Sequence, residues 1–439
     1  MKIRVLDSAQ DGFGAELNKI LAASAEPAPE VRNRVAEILA TVRAEGDRAL
    51  LDYTNRFDRR RAQIEDLVIG PDAARAAFAG LPEALRQALQ TAADRIRSFH
   101  ERQKSASWFY EDPEGILLGQ QVTPLDRVGV YVPGGKADYP SSVLMNVIPA
   151  QVAGVGEIVM VMPAPDDRPS TVALAAAGML GIEKIFSIGG AQAVGALAYG
   201  TELVPAVDKI VGPGGAYVAE AKRQVFGIVG IDMVAGPSEV VIVSDGSGEP
   251  DWTAMDLFAQ AEHDEAARAI LICTDKDFMD RVMASIVRLL PDMERASIIR
   301  ASLERHGLMI RTGTLQEAAA IVNRLAPEHL ELAVREPRDL LKEIRHAGAI
   351  FLGHYAAESL GDYCAGPNHV LPTARCARFS SPLGVYDFQK RSSVMHCDGE
   401  AAAKLAPIAS TLARGEGLTA HARAAEYRLL RITPSPRSR

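Results

Sequence analysis

The chain has 439 residues, 48% of them apolar, enough for about three domains of the usual ~150 residues and for real hydrophobic cores. Lys and Arg number 48 against 56 for Asp and Glu, a net charge of −8 with both signs spread along the chain, so neither nucleic acid nor an anionic membrane is the expected partner. A small disulfide-stapled module is excluded: the four cysteines, Cys273, Cys364, Cys376 and Cys397, form no C-x-x-C pair and read as free thiols. No apolar run approaches the roughly eighteen residues of a membrane span, and Met1-Lys-Ile-Arg-Val-Leu-Asp-Ser8 lacks the apolar centre of a secretory signal. A cytoplasmic location is expected. Only the last residues, Arg431 to Arg439, are basic and turn-rich, as a frayed end would be.

From about Pro29 to Lys104 the chain is rich in Ala, Arg, Glu and Leu with helical apolar spacing, as at Val31, Val35, Ile38, Leu39 and Val42. From Val128 short β-rich runs alternate with helical stretches: 128–132, 157–162, 184–188 and 208–211, then 239–244, 268–273, 308–311 and 349–352. Such alternation predicts parallel strands with crossover helices. The fold expected is α/β: two tandem Rossmann-like α/β units, one inserted in the other, with a helical N-terminal region and a small helical C-terminal segment. Pro/Gly junctions place the boundaries. The expected parts are an N-terminal segment (1–28), an α/β domain (29–130 plus 237–383), an inserted α/β domain (131–236) and a C-terminal segment (384–439).

Ligands of open α/β sheets bind where strands end. Three glycine-rich loops qualify, Tyr131-Val-Pro-Gly-Gly135, Gly189-Gly-Ala-Gln-Ala193 and Gly212-Pro-Gly-Gly215, although none is a G-x-G-x-x-G and tight turns also want glycine. Eight of the nine histidines follow residue 260, which locates the chemistry in the second half. There, Ala254, Leu257, Phe258 and Ala261 make one helix face with Asp251 as its expected N-cap, and Gln260 and His263 neighbour each other off that face. Asp362 and His369 lie in Gly361-Asp-Tyr-Cys-Ala-Gly-Pro-Asn-His369, read as a loop with defined turns. Glu416 and His421 are five apart and converge only if Gly417 breaks the helix, with Thr419 capping the next one. Gln260, His263, Asp362 and His421 are N/O donors without sulfur, a set suited to Zn²⁺ or a similar ion with positions left for substrate. Glu328 and His329 follow Pro327, a residue at home in a first helical turn, and make a candidate acid/base pair near neutral pH.

Taken together, Tyr131-Val-Pro-Gly-Gly135, Ala235-Gly-Pro-Ser-Glu239, Gln260-Ala-Glu-His263, Ala326-Pro-Glu-His-Leu330, Gly361-Asp-Tyr363, Pro367-Asn-His-Val-Leu-Pro-Thr373 and Glu416-Gly-Leu-Thr-Ala-His421 occur in one order and spacing. In these motifs the sequence closely resembles the histidinol dehydrogenase family, over roughly residues 30 to 430. The resemblance implies a homodimeric enzyme with one Zn²⁺ per subunit. It oxidises L-histidinol to L-histidine with two NAD and one water, through bound histidinaldehyde, in the last two steps of histidine biosynthesis.

Carried over position by position, Gln260, His263, Asp362 and His421 match the zinc ligands, and Glu328 and His329 the acid/base pair. Ser238, His369 and Glu416 match substrate contacts, joined by the metal ligands and His329. Tyr131 and Gln192 match NAD contacts. The C-terminal segment is implied to cross to the partner, so that His421 and Glu416 complete the neighbour's site. The chain departs from the family at Gly215, where the third cofactor loop usually carries Asn. A missing amide leaves backbone or water to take over, or weakens NAD binding. Three rivals differ in testable ways. A related dehydrogenase of a sulfonated diol gains nothing from the extra carboxylate Glu416; a zinc hydrolase makes no NADH; a binding protein needs no acid/base pair.

Overall fold

The computed structural model describes residues 1–22, 28–134 and 138–429. The basic tail 431–439 and the last residue of the first glycine loop, Gly135, lie outside the described residues. The chain divides into two units, Met1–Gln103 with Leu125–Phe388, and Lys104–Pro124 with Gln389–Arg439. No helix among the described residues is long and apolar enough to cross a membrane.

The larger unit holds two six-stranded sheets. The first runs Val68–Ile69, Lys184–Phe186, Glu157–Val161, Arg127–Tyr131, Lys209–Val211, Gly230–Ile231, parallel except for its first, antiparallel edge pair. The second is wholly parallel: Arg4–Asp7, Leu308–Arg311, Arg268–Cys273, Glu239–Ser244, His329–Ala333, Ala349–Leu352. All six residues of Glu239–Ser244 are buried, as expected of a central strand covered by helices on both faces; this is why the run shows no apolar/polar alternation. In the centre of each sheet the strand order reverses, between Arg127–Tyr131 and Lys209–Val211 in the first and between Glu239–Ser244 and His329–Ala333 in the second.

The N-terminal helices were expected to complete the second sheet. They pack on the first. Val35, Ile38, Leu39 and Val42 share a core with Val159 and Val161, while Leu89, Ala92, Ala93 and Ile96 share one with Val128 and Val130. A 3.6-residue stripe states that a helix buries one face, not which sheet receives it. Conversely, Arg4–Asp7, outside the expected α/β domains, is an edge strand of the second sheet, in register with Leu308–Arg311.

Residues 368–388 tie the second sheet's chain to the first sheet's core. Asn368 donates from Nδ2 to the Met145 carbonyl at 2.6 Å, and Val370, Leu383, Val385 and Phe388 pack with Val128 and Val130. The smaller unit pairs Gln389–His396 and Trp108–Glu111 on either side of Leu117–Pro124, all antiparallel, followed by helices Gly399–Gly415 and Thr419–Glu426. The C-terminal segment is therefore not purely helical. Its strand is half of a pair whose other member lies some 270 residues earlier, beyond the reach of local pattern reading.

Candidate active site

The candidate pair Glu328 and His329 sits at the amino edge of the second sheet. The helix Leu315–Leu325 ends with Ala326 in a left-handed conformation at φ 47°, Pro327 follows, and a strand opens at His329. The expected helix start at Pro327 is thus corrected: this proline stands just beyond a helix C-cap, where it cannot continue the helix. His329 pairs in register with Val240, which sets Glu328 beside Glu239. Glu328 Oε2 accepts the Glu239 N–H at 2.9 Å, and burial pushes the Glu328 carboxyl up to about 7 against the opposing pull of His329 and that N–H.

His329 Nδ1 lies 3.3 Å from the Glu239 carbonyl, an acceptor only, so this nitrogen carries a hydrogen. Carboxylates surround the ring: Glu328 Oε2 and Glu358 Oε1 each stand 3.8 Å from Nδ1, and Asp362 Oδ1 stands 3.4 Å from Nε2. Burial is the largest single influence and lowers the imidazole pKa, but Glu358, Glu328 and Asp362 together outweigh it and hold His329 well above its usual value. Burial likewise pushes Glu358 up to about 8, with His329 opposing. For Asp362 burial pulls upward, yet the nearby His329 imidazole, aided by His369 and His263, keeps it below the usual carboxylate range.

Asp362 does not lie on a loop. The short helix Glu358–Leu360 runs on into a π-helical turn at Gly361–Ala365, an irregularity common at functional sites, which puts Glu358 and Asp362 one turn apart. Sequence reading missed Glu358; its i, i+4 spacing from Asp362 was the only signal. His369 and His263 are both driven down by burial, and so are held neutral, the form that binds metal or accepts a proton. Gln260, on the helix Pro250–Ala261, donates from Nε2 to His263 Nδ1 at 3.0 Å. That helix is capped at Glu249 rather than Asp251, whose carboxylate instead accepts from Ser285 Oγ at 2.6 Å and pairs with Arg288.

Polar atoms left without partners mark where a ligand fits. Gln260 Oε1, His329 Nε2, Glu358 Oε2 and His369 Nε2 are buried with no hydrogen bond. Such orphans are costly unless a ligand or ion meets them. One acid-rich grouping, His329, Glu358 and Asp362, brings ligand atoms within 4.8 Å of one another. Ser238 is part-buried beside this edge, its carbonyl accepting from Arg268 N–H at 3.0 Å.

His421 and Glu416 belong to the smaller unit. Both are exposed, on either side of a bend at Gly417, whose φ of 78° ends the preceding helix. Leu418 caps the last helix and Thr419 is its first residue, one position from the expected cap.

The first sheet offers a second candidate region at its carboxyl edge, where its strand order reverses. Tyr131 ends one central strand, and its buried hydroxyl, pushed up to about 12 by burial, accepts the Gly190 N–H at 3.0 Å. Gln192 is buried with Oε1 unpartnered. Gly212 has φ +113° and approaches so closely that a Cβ would stand 2.1 Å from the Tyr131 carbonyl. Gly215, at φ −67° before the helix Ala216–Val225, would place a Cβ in open space.

A histidinol dehydrogenase family profile matches residues 21–429. The chain belongs to the histidinol dehydrogenase family. It is 59% identical to a histidinol dehydrogenase of Pseudomonas aeruginosa and 60% identical to one of Chromobacterium violaceum, over 98% of this chain and 98% and 99% of those proteins. The crystal structure of a histidinol dehydrogenase from Elizabethkingia anophelis superposes with a TM-score of 0.92 at 33% identity, covering 98% of both chains. Membership of the histidinol dehydrogenase family makes the protein an oxidoreductase.

Proposed function

We propose that the protein oxidises L-histidinol through bound L-histidinaldehyde to L-histidine, with two NAD, one water and one Zn²⁺ per subunit, as the last two steps of histidine biosynthesis in the cytoplasm. The observation that carries this reading is His329: buried, its Nδ1 fixed on the Glu239 carbonyl and its Nε2 unpaired apart from the facing Asp362 carboxylate. Taking hydride from an alcohol requires a base for the hydroxyl proton; His329 serves once Nε2 has given up its own proton, and the carboxylates that hold its pKa above the usual value then make it a strong proton acceptor. The second oxidation requires water to add to the aldehyde before hydride can leave. Glu328, raised by burial to about 7, is poised to exchange a proton with that water.

The donor set fits zinc. Neutral His263, an orphaned Gln260 oxygen and an ionised Asp362 are N/O ligands, and His421 of the partner subunit would be the fourth. The grouping of His329, Glu358 and Asp362 shares Asp362 but would spend the base as a ligand, so we assign the metal to the former set. When bound, the ion supplies a Lewis-acid anchor for the imidazole and amine of histidinol. Ser238, His369 and Glu416 are assigned to orienting the substrate. NAD fits the first sheet's carboxyl edge, where bare glycine backbone, Tyr131 and the unpartnered Gln192 Oε1 lie at the strand-order reversal.

The direct test is NADH formation on addition of L-histidinol and NAD to the purified protein; no histidinol-dependent NADH overturns the reading. A homodimer with shared sites is tested by mixing inactive His421→Asn with inactive His263→Asn. A shared site restores activity in mixed dimers, because one of the two sites then carries both native ligands. No recovery after verified subunit exchange removes the sharing but not the reaction.

A further inference from the structure

The loop Gly212-Pro-Gly-Gly215 leaves the strand Lys209–Val211 and enters the helix Ala216–Val225, and the chain then returns through the edge strand Gly230–Ile231. Two charged side chains from this return path close on one residue of the loop. Lys222 Nζ donates to the Gly212 carbonyl at 2.9 Å, and the Gly212 N–H donates to Asp232 Oδ2 at 2.8 Å. The two side chains also form an ion pair with each other through Asp232 Oδ1, and they are 3% and 1% exposed. Helical side chains lean toward the helix N-terminus, which is how Lys222, in the second turn, reaches back to the loop.

A buried ion pair is a poor device for stability alone, since desolvating two charges offsets most of their attraction and a well-packed apolar pair does as well. What an apolar pair cannot do is bind the N–H and the C=O of a single residue together. Gly212 needs that. Its φ of +113° is open essentially to glycine, and its Cα lies against the Tyr131 carbonyl with no room for a side chain. One face of the residue is fixed by Tyr131 and both its polar groups by the ion pair.

We propose that Lys222 and Asp232 are positioning residues for the nicotinamide cofactor, acting through Gly212 to set the loop 212–215 against Tyr131. This rests on the assignment of that edge to NAD. Neither residue needs to touch the cofactor. Their role is to hold a left-handed backbone segment in one geometry before binding, so that its ordering cost is met in folding rather than on binding.

Calorimetric titration with NAD, and separately with L-histidinol, tests this without relying on turnover. In Lys222→Met/Asp232→Leu, which removes both charges together, NAD affinity is expected to fall about 10- to 100-fold while histidinol affinity stays within about twofold. Lys222→Arg, keeping charge and donor, is expected to bind NAD closer to the parent than Lys222→Met does. A folded double variant whose NAD affinity lies within about threefold of the parent overturns the proposal. If the double variant does not fold, Asp232→Ala serves: it removes the acceptor of the Gly212 N–H while Lys222 keeps its bond to the Gly212 carbonyl, and parent-like NAD affinity there is equally fatal. A parent that binds no NAD would instead overturn the cofactor assignment, and this proposal with it.

Discussion

Asp362 Oδ1 stands 3.4 Å from His329 Nε2, so one carboxylate both faces the proposed base and counts among the proposed metal donors. The same proximity produces the two competing ligand groupings, and metal analysis separates them. Asp362→Asn should lose zinc under either. His329→Gln should retain full zinc while losing roughly 10²–10⁴ in turnover, the usual worth of a positioned base. Zinc loss in His329→Gln would show that the histidine is a ligand.

Glu328 and His329 are adjacent but make different contacts, which assigns them to different steps. Glu328→Gln keeps an oxygen for the Glu239 N–H, so the fold should survive. In single-turnover experiments the first hydride transfer should be nearly unchanged and the second, started from histidinaldehyde, slowed by roughly 10²-fold or more. Equal losses in both steps would refute the division.

At Gly215 the backbone is extended, a Cβ meets nothing within 4 Å, and the helix it caps has no side-chain cap. Gly215→Asn should therefore fold without strain, gain a few tenths of a kcal/mol from capping, and bind NAD more tightly. Weaker NAD binding or a lower Tm would contradict this.

His100 is fully buried, with Nδ1 2.8 Å from the Ile96 carbonyl and Nε2 3.4 Å from Asn368 Nδ2, and burial lowers its pKa from the ordinary 6.5. The unfolded chain therefore takes up this proton first as pH falls. The native state should lose stability as pH drops below about 6.5, until the folded pKa is reached. His100→Gln should cost about 1–3 kcal/mol at pH 8 for its lost buried hydrogen bonding, and the gap to the parent should narrow toward pH 5. A gap that is constant from pH 8 to 5 would show that His100 does not titrate on unfolding.

Legibility followed the range of the interactions. Gln260 and His263 were readable as neighbours because one helical turn joins them. The strands Glu239–Ser244 and Arg268–Cys273 were readable to the residue because buried parallel strands are unbroken apolar runs. His329 was placed on a helix because Pro327 opens helices as well as following them, and only the left-handed Ala326 decides between the two. Glu358 carried only its i, i+4 spacing from Asp362, and the π turn that places Asp362 beside it is encoded by no simple pattern. The helices of 29–101 carried a clear apolar stripe but no information on which sheet it faces. Lys222 and Asp232 are ten residues apart, and nothing in that spacing marks them as an ion pair.

The central claim is that one site carries out both oxidations, with His329 serving each and Glu328 bringing water to the second. Its most direct test is the amount of NADH formed per L-histidinol consumed, with the product identified. The account predicts about two NADH per histidinol and L-histidine as product, because a single base and a single carboxylate serve both steps. One NADH per histidinol with free aldehyde released would contradict it.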